Sequence, residues 1–253
     1  MDPQQKYQEL RNKTVPGLFL EKVRSTPNEV AYRTKKFGIY KERTWFEFYR
    51  MVASCTMGLM KLGLKKGERL ALMGDPCEEY VICEMAAQAL GAIPYGIYPT
   101  ASQKELRYLI ANGGASIFVG QNQESIDRIL SFRDQLSSLR HIVIIDTKGT
   151  FMYDHSLLVS FQDLCRDGEK QGSATFEIFE ERVHEIKPTD SSFILYTSGT
   201  TGNPKGVLIS HGKHLAAVYT FINRYPILME SSHRTVLYLP LADLVGKIAA
   251  ITL

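Results

Sequence analysis

ERLALMGDPCEEYVICEMAAQALGAIPYGIY, residues 68–98, holds two short apolar runs on either side of a helix-length segment. Glu68 to Met73 reads as a short buried strand, and Asp75-Pro76-Cys77-Glu78 follows it with a helix-start signal, Asp as N-cap and Pro at N1. The helix stops at Gly91, and Ala92 to Tyr98 returns as strand. The pattern repeats outward. Ser102-Gln103-Lys104-Glu105 opens a helix that ends at Asn112-Gly113-Gly114, Ser116 to Val119 is strand, Glu124 to Leu136 helix, and His141 to Asp146 strand. Upstream, Val30 to Lys36 and Ile39 to Thr44 form a hairpin around Phe37-Gly38, and Thr44-Trp45-Phe46-Glu47 is a capping box for a helix closed by Gly63. Repeated βα units predict an α/β fold of mostly parallel, doubly wound sheets with flanking helices, whose ligands gather at the carboxyl ends of the strands. From Thr147 to Lys187 the pattern loosens to one helix near Phe161 to Glu169. Two units are therefore expected: residues 1–187 as a first α/β lobe with its amino-terminal hairpin, and residues 188–253 as the start of a second.

Composition narrows the function classes. Of 253 residues, 44% are hydrophobic and 23% charged, as in an ordinary globular protein. The formal net charge is +3, with no long block of like charge, so a nucleic-acid partner gains no support. Neither a secretory signal nor an apolar run long enough to span a membrane is visible, so a cytoplasmic location is expected. Cys55, Cys77, Cys83 and Cys165 lack C-x-x-C spacing and read as reduced structural thiols.

The chemistry concentrates in Tyr196-Thr197-Ser198-Gly199-Thr200-Thr201-Gly202-Asn203-Pro204-Lys205-Gly206, between the apolar runs Phe193 to Leu195 and Val207 to Ile209. Glycines let successive backbone N–H groups converge on an anion. The hydroxyls of Thr197, Ser198, Thr200 and Thr201 donate to phosphate oxygens, and Lys205 adds a point charge. A Walker A loop is excluded, because Pro204 stands where that pattern needs glycine and Gly206 where it needs Ser or Thr. Tyr196 likewise stands where a hydrolase nucleophile elbow needs glycine. His211 and His214 have metal-ligand spacing but no evident third ligand, so His211 reads as helix-start polarity beside the loop. Tyr219, Phe221 and Tyr225, at near-helical spacing, read more readily as core than as the lining of a substrate pocket.

YTSGTTGNPKG resembles the phosphate-binding signature of the adenylate-forming superfamily, which includes acyl-CoA synthetases, luciferases and peptide-synthetase adenylation domains. QALGAIPYGIYPT (Gln88 to Thr100), Glu105-Leu106-Arg107-Tyr108, Tyr238 to Ala242 (YLPLA) and Thr44-Trp45-Phe46-Glu47-Phe48 resemble the long-chain fatty acyl-CoA synthetase branch. The similarity runs from about Thr14 to Leu253.

The resemblance implies ATP-dependent activation of a long-chain fatty acid to an acyl-adenylate, followed by transfer to CoA. It implies Thr197, Ser198, Gly199, Thr200, Thr201, Gly202 and Lys205 as the phosphate-binding set, with Thr197 as the contact for Mg²⁺. Tyr238 and Asp243 are implied as pocket residues. No catalytic residue falls within these 253 residues, because the adenine- and ribose-binding motifs, an acidic Mg²⁺ ligand and the catalytic lysine of the family lie further on, in proteins about twice as long. The chain is expected to be the amino-terminal portion and inactive alone. Asp243 departs from the family, whose long-chain members usually carry His after L-P-L-[AC]. Two other readings stay open: a non-catalytic paralogue binding ATP or acyl-adenylate, and a fatty acyl-AMP ligase loading a carrier protein. A homodimer and a peripheral membrane contact are compatible with the resemblance, the latter through the apolar Leu239 to Leu253, which otherwise reads as a buried element.

Overall fold

The computed structural model describes residues 3–154, 156–170, 172–197, 202–225, 227 and 234–251. Alternation of side chains along the central strands builds two cores at once. In β3 (Arg69–Met73), Leu70 and Leu72 enter one cluster while Ala71 and Met73 enter the other. β5 (Ala115–Gly120) does the same with Ile117 and Val119 against Phe118. All of these are buried, each large side chain contributing about 1.5–3 kcal/mol. A sheet apolar on both faces must be covered on both.

Seven strands form the sheet in the order β7-β6-β5-β3-β4-β8-β9. The others are β4 (Ile93–Ile97), β6 (His141–Ile144), β7 (Leu158–Ser160), β8 (Ser191–Thr197) and β9 (Lys205–Ser210). All neighbours are parallel except β8 and β9, which form an antiparallel hairpin at one edge. The chain steps from β3 to β4 in one direction and from β4 past β3 to β5 in the other. Right-handed crossovers then place the intervening helices on opposite faces. Accordingly α4 (Glu78–Ala89) contributes Ile82, Cys83, Met85 and Ala86 to one core, and α5 (Gln103–Gly113) contributes Leu106, Leu109 and Ile110 to the other. The doubly wound α/β expectation holds.

The remaining helices are α1 (Pro3–Arg11), α2 (Val15–Ser25), α3 (Trp45–Lys61), α6 (Gln123–Leu130), α7 (Phe161–Glu169), α8 (Ala174–His184), α9 (His211–Arg224) and α10 (Leu244–Ile251). The first hairpin, β1 (Val30–Lys36) with β2 (Ile39–Thr44), stands apart as a two-stranded sheet. The capping box at Thr44 and Glu47 is formed in both directions, and Ser102 caps α5 through the Glu105 N–H.

Three local expectations need correction. Asp75 does not cap α4, which starts at Glu78 with Cys77 in the cap position and no side-chain cap bond. The Asp75 N–H is instead bound by Gln121 Oε1 at 2.9 Å, beyond β5, so this turn is tied to a neighbouring strand. The helix expected over 124–136 ends at Leu130, and a short 3₁₀ turn covers Arg133–Gln135. The loosened stretch also holds β7 and α8 beside the expected α7. α7 lies directly on α3, because a Cβ at Gly168 would fall 1.9 Å from Ser54 O, a distance only glycine allows. The boundary expected at 187/188 falls just before β8, and β8 and β9 extend the same sheet.

Candidate functional site: the mouth of the β8–β9 hairpin

Phe193 and Ile194 anchor β8 in the cores, and the strand emerges at Thr197, which is exposed. β9 begins directly opposite, with Thr197 paired to Lys205 and Tyr196 to Gly206. Directly opposed residues share one face of an antiparallel ribbon. The expected hydroxyl and the expected ammonium therefore stand side by side at the mouth of the loop they enclose. Lys205 has no ion-pair partner among the described residues, so its charge is not neutralised by the protein there. Gly202 has φ of 110°, a backbone that side chains disfavour. Ser198, Gly199, Thr200 and Thr201 lie outside the described residues.

β8 runs parallel to β4, so this loop opens at the carboxyl ends of the parallel strands, where such sheets take ligands. Two tyrosines hold it against α5. Tyr108 Oη donates to the Pro204 carbonyl at 3.0 Å, and Tyr196 Oη donates to Asn112 Oδ1 at 2.8 Å. Between α5 and the loop lies a cavity of about 740 Å³ whose lining includes Lys104, Arg107, Tyr108, Gly202, Asn203 and Pro204. Sequence reasoning missed these tethers, since Tyr108 precedes its partner by 96 positions.

The two expected pocket residues sit differently. Tyr238 lies on an irregular, exposed segment. Leu241 and Ala242 are buried beneath β4, where a Cβ on Gly96 would fall 2.6 Å from Ala242 Cα. Asp243 then starts α10, with Oδ1 accepting from the Val245 N–H at 3.0 Å. Its carboxylate also meets the Tyr98 hydroxyl just past β4; burial raises the Tyr98 pKa and the Asp243 charge raises it further. Asp243 thus has a helix-capping role that its position after LPLA did not announce.

His211 and His214 are buried in the core. His211 Nδ1 accepts from the Val15 N–H at 3.3 Å, and His214 stands edge-on to Phe193 with centroids 5.1 Å apart. Burial lowers their pKa values to about 4 and about 3 respectively, so both are neutral near pH 7. Among the described residues no group of three or more His, Cys, Asp or Glu side chains is arranged to hold a metal. Tyr219 contacts Tyr7 of α1, while Phe221 and Tyr225 pair on the outer surface of α9.

A mostly parallel α/β sheet that carries a hydroxyl, a lysine and a glycine at the mouth of one loop at its carboxyl end fits a ligand-binding α/β class of protein. The chain belongs to the AMP-binding enzyme family, whose model matches residues 19–251. It is 29% identical over 198 residues to the long-chain-fatty-acid–CoA ligase ACSBG2 of Xenopus laevis, covering 78% of this chain and 26% of that protein. With the long-chain-fatty-acid–CoA ligase FadD15 of Mycobacterium bovis it shares 24% over 233 residues, 92% of this chain and 37% of that one. The chain therefore spans between about a quarter and two fifths of these relatives' length. In fold it is similar to the acetoacetyl-CoA synthetase of Streptomyces lividans, with a TM-score of 0.74 at 18% identity over 94% of this chain and 36% of that one. A luciferase-like enzyme from the mealworm Zophobas morio superposes with a TM-score of 0.73 at 17% identity, over 95% of this chain and 52% of that one.

Proposed function

We propose that this chain is the phosphate-binding part of an enzyme that activates a long-chain fatty acid with ATP to an acyl-adenylate and passes the acyl group to CoA. The observation that carries the reading is the Thr197–Lys205 pair closing a loop at the carboxyl end of a parallel sheet. In this reading Thr197, Ser198, Gly199, Thr200, Thr201, Gly202 and Lys205 surround the β- and γ-phosphates of ATP. The Lys205 ammonium offsets charge that builds as the fatty carboxylate attacks the α-phosphorus and pyrophosphate departs. Tyr108 and Tyr196 hold the loop still, so less ordering is needed when ATP arrives.

Mg²⁺ suits this site as a hard cation that keeps several waters and takes few protein oxygens besides phosphate. The Thr197 hydroxyl is the oxygen this chain offers it at the mouth of the loop, and the cation would neutralise phosphate charge. Similarity to the two named ligases supports the fatty-acid substrate and the CoA acceptor. Long-chain acyl substrates partition into bilayers, which supports a cytoplasmic enzyme working close to a membrane surface as the reading.

The test is ATP–pyrophosphate exchange driven by palmitate, acetate or amino acids, in the full-length protein and in residues 1–253, each with and without Lys205→Ala. Exchange driven by palmitate in the full-length protein, weakened at least ten-fold by the substitution, is the expected result. ATP binding without exchange on any carboxylate would overturn it in favour of a non-catalytic binding module. Acyl transfer to a carrier-protein thiol rather than to CoA would overturn the acceptor alone.

A further inference from the structure

Three strongly exposed apolar side chains cluster at one point, the tip of the β1–β2 hairpin. Phe37 is 93% exposed, Ile39 73% and Tyr40 64%. Phe37 and Gly38 both have positive φ, 51° and 81°, which makes a two-residue turn whose first position favours Asn or Asp. A phenylalanine is a strained choice there, and the chain gains no buried contact from it. Around this apolar cap stand Lys35, Lys36 and Lys41, none with an ion-pair partner among the described residues. Further down, the charges are satisfied: Arg33 pairs with Glu42 at 2.7 Å and Arg43 with Glu78 at 2.7 Å.

We propose that this hairpin is a membrane-docking finger for bilayers bearing anionic lipid. Phe37 and Ile39 are suited to the acyl boundary, Tyr40 to the headgroup level, and the three lysines to lipid phosphates and carboxylates. The finger is rigidly mounted. Tyr32 packs edge-on against Phe48 at 5.1 Å, and both Tyr32 Oη and Arg43 Nε donate to Glu78 Oε1, at 2.8 and 2.7 Å. From that base to the turn is about 17 Å of ribbon, enough to set the tip clear of the body. Lysines on both strands oppose edge-to-edge pairing with another copy, which leaves a charged bilayer as the better occupant. Glu78 lies in the first turn of α4, just past the carboxyl end of β3, so the finger is rooted near that end of the sheet. The apolar run 239–253 is not needed for this, since residues 244–251 form α10, whose Lys247 is buried against α4. The inference is independent of the ligase reading, because binding is measured without nucleotide or acyl substrate.

Sedimentation with phosphatidylcholine vesicles and with vesicles containing roughly one part in three phosphatidylserine tests it. Binding is expected to the anionic vesicles only and to weaken with salt. Each Lys→Glu substitution at 35, 36 or 41 should cost at least about five-fold in partitioning. Phe37→Asn with Ile39→Thr suits the turn and the strand, so it should lose vesicle binding while retaining the Trp45 emission and unfolding midpoint of the parent. Equal binding by both variant sets, binding indifferent to lipid charge, or no vesicle binding at all would overturn the proposal. So would loss of self-association, rather than of vesicle binding, in the Phe37→Asn/Ile39→Thr variant.

Discussion

Glu84 on α4 and Lys247 on α10 meet at 2.5 Å with side chains 0% and 1% exposed, an ion pair sealed inside the protein. Lys247 Nζ also lies 5.3 Å from the Phe193 ring centroid of β8, while Glu84 Oε2 has no hydrogen-bond partner among the described residues. The pair ties the segment carrying Asp243 to the helix next to β4. Removing one partner should cost about 3–5 kcal/mol, because the other charge stays buried alone. Lys247→Met should therefore be severely destabilised in urea unfolding, and Glu84→Leu/Lys247→Met should regain most of the loss. A double variant no more stable than the single would show that packing, not the orphaned charge, sets the cost.

The two core histidines give the protein an acid-side weakness. Their folded pKa values, about 4 for His211 and about 3 for His214, lie below the unfolded value near 6.5. Between those values the unfolded chain binds protons that the folded chain refuses, so stability is complete above about pH 6.5 and declines as pH falls. Each histidine contributes a slope of up to about 1.4 kcal/mol per pH unit. Urea midpoints across this window should fall toward acid, and His211→Gln, which keeps an acceptor for the Val15 N–H, should flatten the slope by roughly half. An unchanged slope would place the acid sensitivity elsewhere.

The sheet was legible because its signals are local. Leu70 to Met73 is an unbroken apolar run of four residues, and Thr44 with Glu47 writes a capping box into four. Thr197, Gly202 and Lys205 could be singled out for the same reason, as hydroxyls, glycines and a lysine are gathered within one short stretch of sequence. What stayed hidden depends on distant chain segments meeting. Asp75 looked like a cap until Gln121, from beyond another strand, took its N–H. Lys247 stands in the apolar run Leu239 to Leu253, and only the fold brings Glu84 to it. α8 escaped notice because its buried residues, Thr175, Phe179 and Val183, are few and set among charges.

The tether from Tyr108 to Pro204 predicts a separable effect on nucleotide binding. Tyr108→Phe keeps the ring beside the loop and removes one hydrogen bond, worth about 1 kcal/mol. If the loop holds ATP, the KM for ATP in pyrophosphate exchange should rise about five-fold with little change in kcat or in unfolding midpoint. A fall in kcat with KM unchanged would mean that the tether serves the reacting geometry instead.

Asp243 carries two roles that substitution can divide. As the cap of α10, it accepts from the Val245 N–H at 3.0 Å, a task that asparagine performs equally well. As a carboxylate beside Tyr98, it contributes a negative charge that asparagine lacks. Asp243→Ala should lose about 1 kcal/mol of stability in urea unfolding, and Asp243→Asn no more than a few tenths. If the carboxylate also borders the acyl pocket, both variants should shift the chain-length preference of adenylation in the same direction, despite their different stabilities. A shift confined to Asp243→Ala would trace the preference to the position of α10, and leave the charge at residue 243 without a part in choosing the acyl chain.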